Sequence, residues 1–161
     1  MDIYLILQII IVSIAATSTM TLFSYAVSLK FREIYKEPVL LTYLMHNFNI
    51  NLSKSSKNTL SWLIHYGIGV AFVSIYHYFW THNILELTFL HGLLLGVASG
   101  ITGIISWMIL FKISRYQPSI DYKGYYIQLF IAHVIFALTA TAVYAISLTV
   151  TLLTNTYFAP K

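Results

Sequence analysis

Four stretches of this chain run for more than twenty residues without an Asp, Glu, Lys or Arg, and no motif in it limits the fold as much as that pattern does. They are Ile3 to Leu29, Asn58 to Leu85, Leu87 to Phe111 and Gly124 to Pro160. Each exceeds the roughly 20 residues a helix needs to cross about 30 Å of hydrocarbon at about 1.5 Å per residue. The segments lack the two-residue alternation of a barrel strand, and helices satisfy every backbone group internally, so the expected fold is all-α. The expectation is one integral membrane domain over 1–161, a four-helix transmembrane bundle with spans at about 4–28, 59–80, 87–111 and 127–153. A chain that is 58% hydrophobic and 9% charged is neither disordered nor an ordinary water-soluble domain.

The few charges then orient the bundle. Lys30, Arg32, Lys36, Lys54 and Lys57 fall between the first and second stretches, and Lys112, Arg115 and Lys123 between the third and fourth. The opposite side holds Asp2, a tight His82-Asn83 turn and Lys161. By the positive-inside rule, loops 30–57 and 112–123 are cytoplasmic and both termini lie outside. Met1-Asp2 is not a basic leader and the apolar run behind it is too long for a signal peptide, so the first span is expected to be retained.

Within loop 30–57, Glu37-Pro38 looks like a helix start. Val39, Leu40, Leu41, Tyr43, Leu44, Met45 and Phe48 follow, broken by Thr42, His46 and Asn47. They suggest a short amphipathic helix at the cytoplasmic interface, the alternative being a loop packed under the bundle. Asn51 to Lys57 is expected to be a polar linker. Its Asn51-Leu52-Ser53 sequon falls on the cytoplasmic side and is taken as chance.

Helices in lipid associate through small residues and interhelical hydrogen bonds. The third span carries Gly92, Gly96, Gly100 and Gly103, and the first a hydroxyl stripe of Ser13, Thr17, Thr21, Ser24 and Ser28. These faces predict internal packing, or, if the glycine face is left open, a homodimer. Trp62, Trp80 and Trp107 are expected in the interfacial aromatic belts.

The spans contain no carboxylate, Lys or Arg, which argues against proton pumps, voltage sensors and the usual acid–base hydrolases. The absence of cysteine excludes thiolate metal sites and disulfides. No phosphate loop, HExxH, nucleophile elbow or nucleic-acid motif is present, and no metal site is expected. Histidine and tyrosine remain. His65 and His133 share a depth near the cytoplasmic side, and His77 and His91 share one near the outer side. The candidate polar site is therefore His65, Tyr66, His133, Tyr144, Thr17 and Thr21, with His77 and His91 as a second level.

Three readings stay open. The leading one is a non-enzymatic membrane protein, without a cofactor, that contacts lipid or a membrane-protein partner. The second is a b-type haem or quinone protein ligated by paired histidines. The third is a small dimeric transporter with Thr17, Thr21, His65, His133 and Tyr144 along its path.

Ala15-Ala16-Thr17-Ser18-Thr19-Met20, Glu37-Pro38-Val39-Leu40-Leu41, Trp62-Leu63-Ile64-His65-Tyr66-Gly67-Ile68-Gly69, the glycine-rich third span and Ala132-His133-Val134-Ile135-Phe136 follow one another in this order. In this the chain resembles the small four-span bacterial inner-membrane proteins of uncharacterised families. The resemblance implies a bacterial cytoplasmic membrane and a shared site around His65, Tyr66 and His133, and it implies no reaction.

Overall fold

The computed structural model of the chain describes residues 3–114, 116 and 118–158. Five helices account for most of them: α1 Ile3–Phe31, α2 Glu37–Asn47, α3 Lys54–Thr81, α4 Phe89–Ser114 and α5 Tyr122–Phe158. All but α2 are long and apolar enough to cross a membrane.

Helix limits follow local capping. Asn51 to Lys57 is only partly the expected linker, because the Ser53 hydroxyl accepts the Ser56 amide at 3.1 Å and starts α3 at Lys54. Thr88 caps α4 through the His91 amide at 3.3 Å, so that helix begins two residues after the expected limit at 87. Asn83, with φ of 54°, takes the left-handed conformation that lets α3 turn into α4. In α2, Pro38 occupies the first turn, where its missing N–H costs nothing.

Packing runs in the order α4, α5, α1, α3, with α2 lying beneath α3 and α4. Glycines make the α4–α5 seam. A Cβ at Gly96 would come within 2.8 Å of the Val134 Cα, at Gly100 within 2.8 Å of the Phe130 ring, and at Gly92 within 2.5 Å of the Thr141 hydroxyl. The chain's own α5 thus occupies this glycine face. The hydroxyl stripe of α1 also turns inward, with Ser13, Thr17, Thr21, Ser24 and Ser28 all buried. Ser13 donates to the Ile9 carbonyl at 2.6 Å, the back-bonding by which a helical hydroxyl meets its own needs.

Outward-facing positions show the reverse chemistry. Leu22, Leu63 and Leu90 are 72%, 65% and 67% exposed, while Ser24 and Ser61 are fully buried. The surface is apolar and much of the polar complement is inside.

α2 packs under the bundle, burying Glu37, Pro38, Leu40, Leu44 and Met45 and exposing Tyr43. Thr42 shares a hydrogen bond with Ser61 of α3 at 2.8 Å, and the Asn47 amide donates to the Ser114 carbonyl of α4. Two tryptophans depart from the belt expectation. Trp80 and Trp107 are each 7% exposed. Trp80 packs on Tyr76 and Tyr144, and Trp107 on Phe111 and Tyr125, since aromatic neighbours on α3, α4 and α5 hold both indoles inside the bundle.

Candidate functional site

α3 and α4 are consecutive in sequence, yet they meet chiefly near their turn, where the Tyr76 hydroxyl hydrogen-bonds with Ser99. Toward α2 a cavity of about 220 Å³ separates them, and all five helices line it. Its walls are mainly apolar, including Met20, Leu41, Phe72, Trp107 and Phe136. Its polar groups come from His65, His133, Glu37, Thr17 and Ser106.

The two histidines reach the cavity from different helices, His65 from α3 and His133 from α5, and both are 6% exposed. Hydrogen positions follow from their partners. The His133 Nδ1 lies 2.8 Å from the Leu129 carbonyl, which can only accept, so Nδ1–H donates. Thr21 gives its one hydroxyl proton to the Thr17 carbonyl at 2.6 Å. The contact at 2.9 Å between Thr21 Oγ1 and His65 Nε2 therefore has His65 as donor. A neutral His65 then carries its lone pair on Nδ1, and a neutral His133 carries its lone pair on Nε2. Neither nitrogen has a hydrogen-bond partner among the described residues, and neither is fully enclosed.

Gly103 of α4 sets the position of the second ring. A Cβ there would come within 2.7 Å of the His133 Cε1 and 2.9 Å of its Nε2. Phe72 meets the same imidazole edge-on at 5.9 Å between centroids. On the opposite wall Thr17 presses its hydroxyl against Gly69.

Glu37 changes the picture drawn from the sequence. The spans hold no carboxylate, but α2 delivers one to the cavity from outside them, and it is 2% exposed. Ser24 donates to its Oε1 at 3.1 Å, and the Gln128 amide donates to Ser24 at 2.6 Å. Glu37 Oε2, Gln128 Oε1, the Tyr125 hydroxyl and Thr17 Oγ1 are enclosed without partners among the described residues. Burial pushes the Glu37 carboxyl up to about 7, against the opposing pull of backbone, Ser24 and Gln128 hydrogen bonds. The four long apolar helices themselves still hold no carboxylate, and the one at the cavity comes from α2.

The remaining candidates go elsewhere. Tyr66 hydrogen-bonds with Ser18 at 2.9 Å on the outer surface of α1 and α3. Tyr144 pairs with His77 Nδ1 at 2.7 Å, and His91 pairs with Thr88 at 3.0 Å. The level of His77 and His91 is thus divided between two unrelated hydrogen bonds. Sequence reasoning missed Glu37 and Gln128, although Glu37 stands three, four and seven residues ahead of Leu40, Leu41 and Leu44, on the apolar face of α2.

Two imidazole nitrogens without partners among the described residues and a neighbouring carboxyl thus belong to the lining of a partly open, mainly apolar space. Among the described residues no group of three His, Asp or Glu could hold a metal ion. Comparison of the chain with models of known protein families, with curated proteins and with solved structures yields no match.

Proposed function

We propose that this chain is a multi-pass membrane protein that holds the head of a small amphipathic molecule in the cavity between α3 and α4. The observation that carries the reading is the cavity itself. It is a partly open, mainly apolar hollow with a few convergent polar groups, the usual form of a small-molecule site. An exterior of exposed leucines around buried hydroxyls supports immersion in lipid, where polar groups turn inward. In this reading loops 30–57 and 112–123 face the cytoplasm of a bacterial cell, as the distribution of Lys and Arg favours. Binding without turnover is in keeping with the leading expectation of a protein that contacts lipid.

A haem held by both histidines is the weaker reading, because a space of about 220 Å³ gives little room for a macrocycle between them.

Native mass spectrometry of the chain extracted from its membrane tests the reading. One retained small amphiphile per chain is expected, and its loss in Ser106→Leu, which fills the cavity from the open face of α4. A bare mass, with no saturable uptake of added amphiphile, would overturn it. Because the chain has no cysteine, single replacements Ser55→Cys and Asn83→Cys give an unambiguous labelling test. They should react from opposite sides of sealed vesicles, and labelling from one side would overturn the topology.

A further inference from the structure

Given that cavity as the binding site, the hydrogen bookkeeping of its two histidines goes further and specifies the head of the ligand. Each ring has spent its N–H inside the protein, on Thr21 for His65 and on the Leu129 carbonyl for His133. What each neutral ring has left is a lone pair, that of His133 on the nitrogen beside Gly103 of the cavity wall and that of His65 on a nitrogen that is not fully enclosed. The Thr17 hydroxyl is enclosed against Gly69, and Trp107 faces the space as part of an apolar wall. The two histidines therefore present two acceptors, on two different helices, beside the Ser106 hydroxyl and the Glu37 carboxyl of the same lining. A carbonyl, ether or ester head would bring a further acceptor and gain nothing from these nitrogens, whereas a hydroxyl would complete them.

We infer that the cavity selects an amphiphile whose head donates hydrogen bonds, a hydroxyl-bearing apolar molecule, through Nδ1 of His65 and Nε2 of His133. Two chemical sources carry such a head: an aromatic diol of the reduced quinone type, with two hydroxyls for the two nitrogens, and a long-chain alcohol with one. The inference rests on the proposed binding site and adds the polarity of its hydrogen bonds. Selection works by difference: burying an unpaired lone pair against a ligand acceptor costs affinity that a donor recovers.

The test is titration calorimetry of the full chain in detergent micelles, under anaerobic reducing conditions, with two matched pairs compared at equal mole fraction in the micelle. The pairs are 1-dodecanol with its methyl ether, and 1,4-naphthohydroquinone with its dimethyl ether. The hydroxyl member is expected to bind about tenfold tighter than its ether, the net worth of a good hydrogen bond. Preference for the diol over the alkanol assigns the aromatic source, and the reverse assigns the long-chain alcohol. The ratio should fall toward one in His133→Leu. If that variant fails to fold, the ratio on the unaltered chain decides alone. Equal binding of hydroxyl and ether overturns the inference and leaves the site standing. Binding of neither pair overturns the site as well.

Discussion

α4 has two working faces, and they solve opposite problems. Toward α5, Gly92, Gly96 and Gly100 remove side chains, so that the helices touch through Val134, Ala137, Phe130 and Thr141. Toward α3, Ser106, Trp107 and Leu110 stand at the edge of a cavity, and that separation is bridged from below by α2. On α4, then, Gly92, Gly96 and Gly100 serve closeness toward α5. Toward α3, the protein keeps polar groups under apolar cover with hydrogen-bonding capacity unspent, an arrangement that costs stability and is typical of sites.

If the cavity side carries an unmet cost, the largest effect should come from Glu37. Its carboxyl is held at about 7 in the folded chain, against an ordinary value of 4.5. Between those two values the folded state binds more protons than the unfolded state, so stability falls as pH rises. The cost is absent below pH 4.5, grows through the window and is complete above 7. Glu37→Gln removes it, and the variant should gain about 3 kcal/mol relative to the parent between pH 4.5 and 8. Denaturation in detergent at the two pH values measures this. A difference that does not change with pH would place the carboxyl in water.

The glycine seam gives the next effect. Gly96→Ala drives a methyl into the Val134 backbone and should cost about 1–3 kcal/mol. Gly67→Ala meets nothing within 4 Å and should be neutral or gain up to about 1 kcal/mol from helix propensity. Equal thermal shifts for the two would remove close approach as the basis of the seam. The smallest effect belongs to the far histidine level. Tyr144→Phe deletes the bond to His77 and should cost about 0.6 kcal/mol, the mean for interhelical hydrogen bonds in a membrane bundle. Amphiphile binding by that variant should match the parent, which separates the two histidine levels in function.

Length and charge made the four long helices legible, because a chain in hydrocarbon has few alternatives. The glycine and hydroxyl stripes could be read as inward faces for a similar reason: period 3.6 puts them on one side. Depth along a helix could also be counted, and it placed His65 level with His133. Rotation about the axis could not be assigned between helices whose order was unknown. The same counting therefore matched His77 with His91, which the fold gives to Tyr144 and Thr88. Trp80 and Trp107 were misread because depth near an interface says nothing of whether an indole faces lipid or neighbouring rings. Glu37 was hidden by its position in a polar loop, although its spacing to Leu40, Leu41 and Leu44 carried the signal.

Trp107 lines the cavity and reports directly on whether it is occupied. In the double variant Trp62→Phe, Trp80→Phe this indole is the sole tryptophan, buried against Phe111 and Tyr125 and facing the cavity. Titration with a bromine-labelled dodecanol should quench its fluorescence in a saturable way, reversed by unlabelled dodecanol and abolished by Ser106→Leu. Quenching that rises linearly with the bromine content of the micelle, alike in both backgrounds, would show an indole sensing bulk lipid and would contradict the account.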